Sequence, residues 1–402
     1  MQHKVLVAIL VMASFFASVA IGSTSIVAPW LLLKNFQPLF YSVLACIVAV
    51  CSIFFLPALG RSLTRLRARS ILGAASIGMS VMCFVTYSYS AYEDWLKVLI
   101  TIVFISMETF FLVFVAARIT LVKKIVPENL YSKVSTILEM EFQIAAFGAG
   151  ALAAFLLGQF STSIVLLINA GLFLISAVLF MLINEAKTNH TPYAADEDDK
   201  VDLAAKIPEP GLSIIALILA MNVPFVCIML MNVILPIHIE GKLDGTPQDL
   251  AFANLIYTGG AISSFLLIWF VLARDHGLHV KIIVLFLIFS LAAVMVQLSI
   301  RIEVLFFCCF VWGAINSTAK VAGQTLILKH TDEMTVSVVT AKSQAHVQML
   351  RVISMVFLSI IILFTGDGYL FGYMALFTLL GPALILISQA LRTRSVSQEQ
   401  SL

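Results

Sequence analysis

Five charged side chains and one histidine interrupt long apolar runs, and their types suggest two kinds of chemistry. Glu108 lies midway along one run, with Lys97 and Lys123 at its far ends and no basic residue one turn away. A desolvated carboxyl so placed could load and release a proton near neutral pH, or it could make a structural hydrogen bond to a neighbouring helix. Glu139 and Glu141 are two residues apart, so on a helix they point to different faces and at most one lines a common cavity. Lys133 or Arg118 would be their partner in a purely interfacial role, and Gln143 is a milder polar contact. His346 could join a proton path because imidazole titrates near neutrality, although an interfacial hydrogen bond is the plainer use.

The other two charges are cations. Lys320 and Arg351 each lie nine residues inside a basic anchor, Lys329 and Lys342, which is about 13 Å along a helix. Asn316, Lys320 and Gln324 share one face at four-residue spacing. Gln344, Gln348 and Arg351 do likewise at four- and three-residue steps, with Ser354 at the edge. A polar stripe on an otherwise apolar helix faces another helix or a water-filled path rather than lipid. These cations either pair with Glu108 or Glu141, or hold an anion.

The elements that must position these residues follow from composition. Of 402 residues 61% are hydrophobic and only 11% charged, and the mean hydropathy is +1.05. A water-soluble fold needs about a quarter of its residues charged, so the missing solvent is lipid. A net charge of +2 and the lack of a basic tract argue against a nucleic-acid partner. The six cysteines lie in apolar stretches without a CxxC pair, which reads as hydrophobic filler and leaves no expected metal site. Twelve runs reach the ~20 residues that a bilayer core requires: 5–33, 38–59, 70–89, 98–122, 136–158, 162–183, 212–237, 250–273, 280–300, 304–328, 344–365 and 369–391. Ala17-Ser18-Val19-Ala20 looks cleavable, but its apolar run is far longer than the ~7–15 residues of a signal peptide, so it reads as a first helix.

The predicted class is an all-α polytopic membrane protein with twelve transmembrane helices in two pseudo-symmetric six-helix bundles. Residues 1–183 form the first bundle, 184–211 a solvated linker, 212–391 the second bundle and 392–402 a tail. The linker carries Asp196-Glu197-Asp198-Asp199 and cannot bury enough apolar surface to fold alone. Loops of one side hold only Lys34, Lys97, Lys242 and Arg301, while the rest of the loop cations, Arg61 to Arg69 and Lys123, Lys124 and Lys133 among them, lie on the other. The positive-inside rule then places both termini in the cytoplasm, with Tyr87, Tyr89, Tyr92 and Trp95 in an outer aromatic belt. A weak repeat supports the two halves: Val126–Leu130 parallels His330–Met334, and Val134 and Thr136 then fall on Val338 and Thr340.

Three local patterns carry a resemblance. Gly60, Arg65 and Arg69 in Gly60-Arg61-Ser62-Leu63-Thr64-Arg65-Leu66-Arg67-Ala68-Arg69 match the loop between helices two and three of the major facilitator superfamily, with Thr64 in place of its aspartate and Arg67 in place of its second glycine. Positive-inside charge alone would also account for these arginines. The stretch from Arg118 through Val126-Pro127-Glu128 resembles the link between helices four and five in the drug- and siderophore-exporting branch, which includes transporters similar to the enterobactin exporter. Arg274-Asp275-His276-Gly277 is similar to a degenerate second copy of the first loop, so Asp275 and Gly277 join the loop residues.

The resemblance implies the major facilitator fold and alternating access between two halves. It implies proton-coupled export of a small organic molecule from a bacterial cytoplasmic membrane, driven by the proton gradient without a bound cofactor, by a chain expected to work as a monomer. Glu108, with Glu139, Glu141 and His346, would couple protons. Asn316, Lys320, Gln324, Gln344, Gln348 and Arg351 would bind an anionic, siderophore-like substrate. Multidrug efflux of lipophilic compounds and import by the same fold remain open. A membrane-embedded enzyme or a sensor is the alternative from another class, disfavoured because no HExxH or GxSxG occurs and intramembrane charges of both signs do. No Walker loop points to ATP drive.

Overall fold

The computed structural model describes residues 2–36, 38–159, 162–184, 212–245, 247–272, 278–332, 335–365 and 369–399. In chain order the helices are α1 (Gln2–Asn35), α2 (Pro38–Arg65), α3 (Ala68–Ser88), α4 (Glu93–Ile125), a 3₁₀ turn at Glu128–Leu130, α5 (Tyr131–Gln159) and α6 (Thr162–Leu182). They continue with α7 (Leu212–Gly241), α8 (Pro247–Ser263), α9 (Phe265–Leu272), α10 (Leu278–Leu298), α11 (Ile302–His330), α12 (Val336–Thr365), α13 (Leu370–Thr378) and α14 (Leu380–Glu399). Each of the twelve apolar runs falls on one helix or one consecutive helix pair, because in hydrocarbon every backbone polar group must be satisfied within its own segment. Large apolar side chains such as Phe54 (76% exposed), Trp269 (74%) and Phe364 (79%) point outward, which suits lipid rather than water. The acidic run of the linker and the Asp275–Gly277 loop lie outside the described residues.

Two spans are broken, and local chemistry explains both. Between α8 and α9 the axis bends by 41°. There the Ser263 hydroxyl bonds back to the Gly260 carbonyl at 2.8 Å, and Ser264 N–H bonds to Ala261 in a tighter i→i+3 turn. Between α13 and α14, Pro382 lacks the N–H that would donate to Thr378, and its ring crowds that carbonyl, so the helix is interrupted at Leu379. Leu379 N–H instead bonds to Leu376 at 3.1 Å. Gly259-Gly260 and Ser263-Ser264 at the first break and Gly381-Pro382 at the second interrupt the apolar runs, so residue type marks both places although an averaged hydropathy does not.

The chain divides into two compact units, Met1–Glu209 with Leu328–Ala345, and Pro210–Ile327 with His346–Leu402. In the first, α1 packs on α5 and α6, and α3 packs on α4 and α6. In the second, α7 packs on α14 and α10 on α13. The same hydrogen bonds recur inside each unit. Ser80 Oγ of the third span donates to Ala170 O of the sixth at 2.8 Å, and Ser290 Oγ of the ninth donates to Ala375 O of the twelfth at 3.0 Å. First and sixth spans are tied by Ser176 Oγ to Ala13 O (2.9 Å), seventh and twelfth by the Cys227–Thr378 contact (3.4 Å). The internal repeat is thus written in buried contacts more clearly than in sequence.

Cations cap the carbonyl ends of helices. Arg69 Nη1 donates to the Ile183 carbonyl after α6 at 2.6 Å, and Lys281 Nζ to Phe270 O near the end of α9 at 3.0 Å. Lys123 Nζ donates to Leu328 O in the last turns of α11 at 2.6 Å, within the first unit, and Lys242 Nζ to Gln297 O at the end of α10. The last carbonyls of a helix have no partner of their own and carry the negative end of its dipole, so a donated ammonium or guanidinium satisfies both needs.

Candidate functional site

The first unit holds a buried polar cluster built by α1, α4 and α5. Arg118 sits two turns before the end of α4 and is 3% exposed; Glu139 and Glu141 of α5 are 1% and 6% exposed. Arg118 Nη1 approaches Glu141 Oε2 at 3.6 Å, and its guanidinium lies 4.8 Å from the centre of the Phe114 ring. Glu139, one face over, accepts a 2.8 Å bond from Gln143 Nε2 one turn on. The Ser18 hydroxyl of α1 neighbours Glu141 without reaching hydrogen-bond geometry.

What distinguishes this pair is the missing hydrogen bond. A well-made charge-assisted bond is about 2.7–2.9 Å long. At 3.6 Å the attraction persists, yet Arg118 Nη1 and both Glu141 oxygens are buried with no hydrogen-bond partner among the described residues. Two desolvated charges are therefore held mainly by each other's field. Protonating the carboxyl would discharge one and leave the other available to an anion. Phe114 belongs to an aromatic column in which Phe110 lies 6.0 Å from Phe114 and meets Phe173 edge-on at 5.2 Å.

The second unit holds the cationic stripe. Asn316 on α11 is 2% exposed, and its Nδ2 donates to Tyr257 Oη of α8 at 2.7 Å. Lys320, one turn on, places Nζ 5.3 Å from the centre of the Phe225 ring of α7; Gln324 is half-buried. The helices approach closely because of glycine. A Cβ on Gly260 would meet Phe310 O at 2.0 Å, and one on Gly313 would meet Tyr257 O at 2.0 Å. On α12, Gln348 is buried and its Oε1 lacks a hydrogen-bond partner among the described residues. Arg351 is half-buried, with its carbonyl taking the Ser354 hydroxyl at 2.9 Å. Gln344 belongs to the segment of α12 grouped with the first unit, His346 and Arg351 to the second.

The remaining sequence candidates are placed as follows. Glu108 is half-buried midway along α4. His346 is half-buried, with Nδ1 lacking a hydrogen-bond partner among the described residues. Gly60 is buried against the first unit's Leu328–Ala345 segment, where a Cβ would come within 2.8 Å of Ala341 Cβ. Arg65 is exposed and Arg69 caps α6. Thr64, in the aspartate position of the loop pattern, returns its hydroxyl to Arg61 O at 2.7 Å. Asp275 and Gly277 are outside the described residues.

Tyr257, Phe114, Phe225 and Ser18 carry site contacts but stand out little in sequence. Tyr257 had one legible signal, since it follows Asn254 at a helical step and precedes Gly259-Gly260 in an apolar span. Ser18 belongs to a buried serine row with Ser14 at four-residue spacing on α1.

Comparison with known proteins places this architecture. Residues 10–221 match the sequence profile of the Major Facilitator Superfamily. Among proteins with curated functions, none matches the chain by sequence. Solved structures do match along nearly the whole chain. The human organic anion transporter MFSD10 (TETRAN) aligns at 12% identity and TM-score 0.70, covering 96% of this chain and 100% of its own. A bacterial homologue of the iron transporter ferroportin, in an outward-facing state, aligns at 13% identity and TM-score 0.74, covering 96% and 99%. The E. coli fucose:proton symporter FucP aligns at 12% identity and TM-score 0.70, covering 96% and 99%. At such identities the likeness is one of fold, and the profile match over more than half of the sequence adds the family: the chain belongs to the Major Facilitator Superfamily and is a multi-pass membrane transporter, not an enzyme.

Proposed function

We propose that this secondary transporter exports a small organic anion in exchange for protons by alternating access. The observation that carries the reading is the Arg118–Glu141 pair. At 3.6 Å and an effective dielectric near 20 its attraction is about 5 kcal/mol. Uptake of a proton by Glu141 removes that attraction and leaves a buried guanidinium to be neutralised. Release of the proton restores the pair. Glu139, joined to Gln143, is a second acceptor in the same cluster, and Glu108 is a further carboxyl on α4. His346 would lie on the proton path.

On the substrate side, Lys320 and Arg351 supply positive charge inside the second unit. Asn316, Gln324, Gln344 and Gln348 add hydrogen-bonding groups along the same helices. A carboxylate- or catecholate-bearing molecule of siderophore type suits that set. The proton gradient is the proposed energy source, with no bound cofactor, and the bacterial cytoplasmic membrane the proposed site. A second reading, efflux of lipophilic cations, is favoured by two carboxylates standing beside one guanidinium and an aromatic column in the first unit.

Inverted membrane vesicles test both. Acidifying the lumen should drive uptake of the anionic substrate, and Glu141→Gln should reduce that uptake at least tenfold while leaving substrate exchange without a gradient. Lys320→Ala or Arg351→Ala should lower transport of anions and spare neutral compounds. Full gradient-driven uptake by Glu141→Gln would sink the proton role. Uptake of lipophilic cations alone would favour the second reading.

A further inference from the structure

Three exposed arginines gather at the turn between α2 and α3, and no carboxylate among the described residues pairs with them. Arg61 and Arg65 lie one turn apart at the end of α2, and Arg67 directly precedes α3. No aspartate or glutamate occurs in the sequence before Glu93, and that residue pairs with Lys97 at 2.7 Å. Nor are the arginines needed to close the end of α2. The Thr64 hydroxyl donates to Arg61 O at 2.7 Å, and Leu66 N–H to Ser62 O at 3.0 Å. Arg69 differs, since it is half-buried and donates to the Ile183 carbonyl at 2.6 Å.

Two features go beyond a count of loop charge. Every cation of the turn is an arginine, whereas the end of α4 and the start of α5 carry Lys123, Lys124 and Lys133. Topology weighs lysine and arginine alike, but the planar guanidinium fork fits phosphate oxygens two at a time. The second feature is Leu66, 56% exposed between Arg65 and Arg67, while Leu63 and Ala68 on either side are buried. The spans that end at Arg65 and start at Ala68 meet here, so the turn stands where hydrocarbon gives way to headgroups. At that boundary an apolar side chain enters the acyl region while its cationic neighbours stay at the phosphates.

We propose that the α2–α3 turn is a docking site for an anionic phospholipid headgroup, with Arg61, Arg65 and Arg67 on its phosphate oxygens and Leu66 among its acyl chains. A soluble phosphate would use the guanidiniums but gain nothing from Leu66. Gly60 adjoins Arg61 and packs against α12 within the first unit, where an added Cβ would lie 2.8 Å from Ala341 Cβ. A lipid held beside that contact binds the folded state alone and so raises its stability. Proton coupling and cargo do not enter, so failure of either reading leaves the other standing.

The full chain, purified in detergent and stripped of lipid, is titrated with dioleoylphosphatidylglycerol, dioleoylphosphatidylcholine and glycerol phosphate. Native mass spectrometry counts the adducts, and unfolding midpoints are read alongside. Phosphatidylglycerol should bind about tenfold more tightly than phosphatidylcholine and raise the midpoint, and glycerol phosphate should leave the midpoint unchanged. Arg61→Gln, Arg65→Gln and Arg67→Gln together should abolish that preference. Lys133→Gln, Arg301→Gln and Lys329→Gln together remove as many exposed cations elsewhere and should keep it. Leu66→Ser should weaken phosphatidylglycerol binding severalfold with every charge in place. Equal losses in the two triple variants would overturn the proposal, because the net charge alone would then attract the lipid. So would stabilisation by glycerol phosphate as large as that by the lipid, which would make the turn a site for soluble anions. Should the first triple variant be poorly inserted, Leu66→Ser decides alone, and undiminished lipid binding by it sinks the site.

Discussion

Arg118 faces the Phe114 ring at 4.8 Å and the Glu141 carboxylate at 3.6 Å, with Glu139 also close enough to act on it electrostatically, and its Nη1 donates no hydrogen bond among the described residues. Removing one member of a buried ion pair leaves the other charge uncompensated, at a cost of about 3–5 kcal/mol. Replacing both by apolar residues of similar size is often close to neutral. Arg118→Met should therefore lower the thermal stability of the purified protein markedly, and Arg118→Met with Glu141→Met should recover most of it. The double variant should nonetheless fail in gradient-driven vesicle uptake. Thermal unfolding in detergent reads the first result. A double variant as unstable as the single one would show that the pair's geometry, rather than its charge balance, holds the cluster. Each charge was legible as an outlier in an apolar run. Arg118 was one of two partners the sequence offered to Glu139 and Glu141, but choosing it over Lys133, and Glu141 over Glu139, needed the packing of α4 on α5, because spacing rules reach only one or two turns along the same helix.

At the scale of elements, the α8–α11 crossing turns on missing side chains. Gly313 and Gly260 let each backbone approach the other so closely that an added methyl would fall 2.0 Å from a carbonyl oxygen. Gly259, next in sequence, has nothing within 4 Å of such a methyl. Gly313→Ala should force the helices apart, with an overpacking cost of about 1–3 kcal/mol or more, and should disturb the Asn316–Tyr257 bond one turn away. Gly259→Ala should be neutral or slightly stabilising, since alanine favours helix. Unfolding midpoints of the two variants check this; equal destabilisation would mean that helix propensity rather than contact distance governs the site. Gly259 and Gly260 are adjacent in sequence, and nothing in the sequence says which of the two packs. The sequence offers twelve apolar runs because lipid imposes length and apolarity on a span, and among the described residues nine helices, or ten with the bent pair, are long and apolar enough to cross a membrane. The breaks at Ser264 and Leu379 lie beside Gly259-Gly260 and Pro382, residue types that permit kinks, but which residue breaks follows only from the local hydrogen bonds.

For the whole molecule, the cations that set the predicted orientation also have a local role, and the two can be separated. Arg67 and Arg69 lie in the same basic loop region and should contribute alike to the positive-inside signal. Arg69 donates to the Ile183 carbonyl at 2.6 Å, whereas Arg67 is exposed and makes no such bond among the described residues. A hydrogen bond from a charged group contributes about 1.5–3 kcal/mol. Arg69→Gln should therefore lower the unfolding midpoint of the purified protein, and Arg67→Gln should leave it within error. Neither should invert the chain, because the remaining loop cations hold the bias. Orientation itself is read in intact cells with a membrane-impermeant maleimide, in a variant whose native cysteines are replaced. Ser90→Cys, in the turn between α3 and α4, should be modified from outside, and Arg67→Cys only after the membrane is opened. Modification of Arg67→Cys from outside would reverse the assigned topology. Equal stability of Arg67→Gln and Arg69→Gln would instead remove the capping role and leave these arginines as topology signals alone.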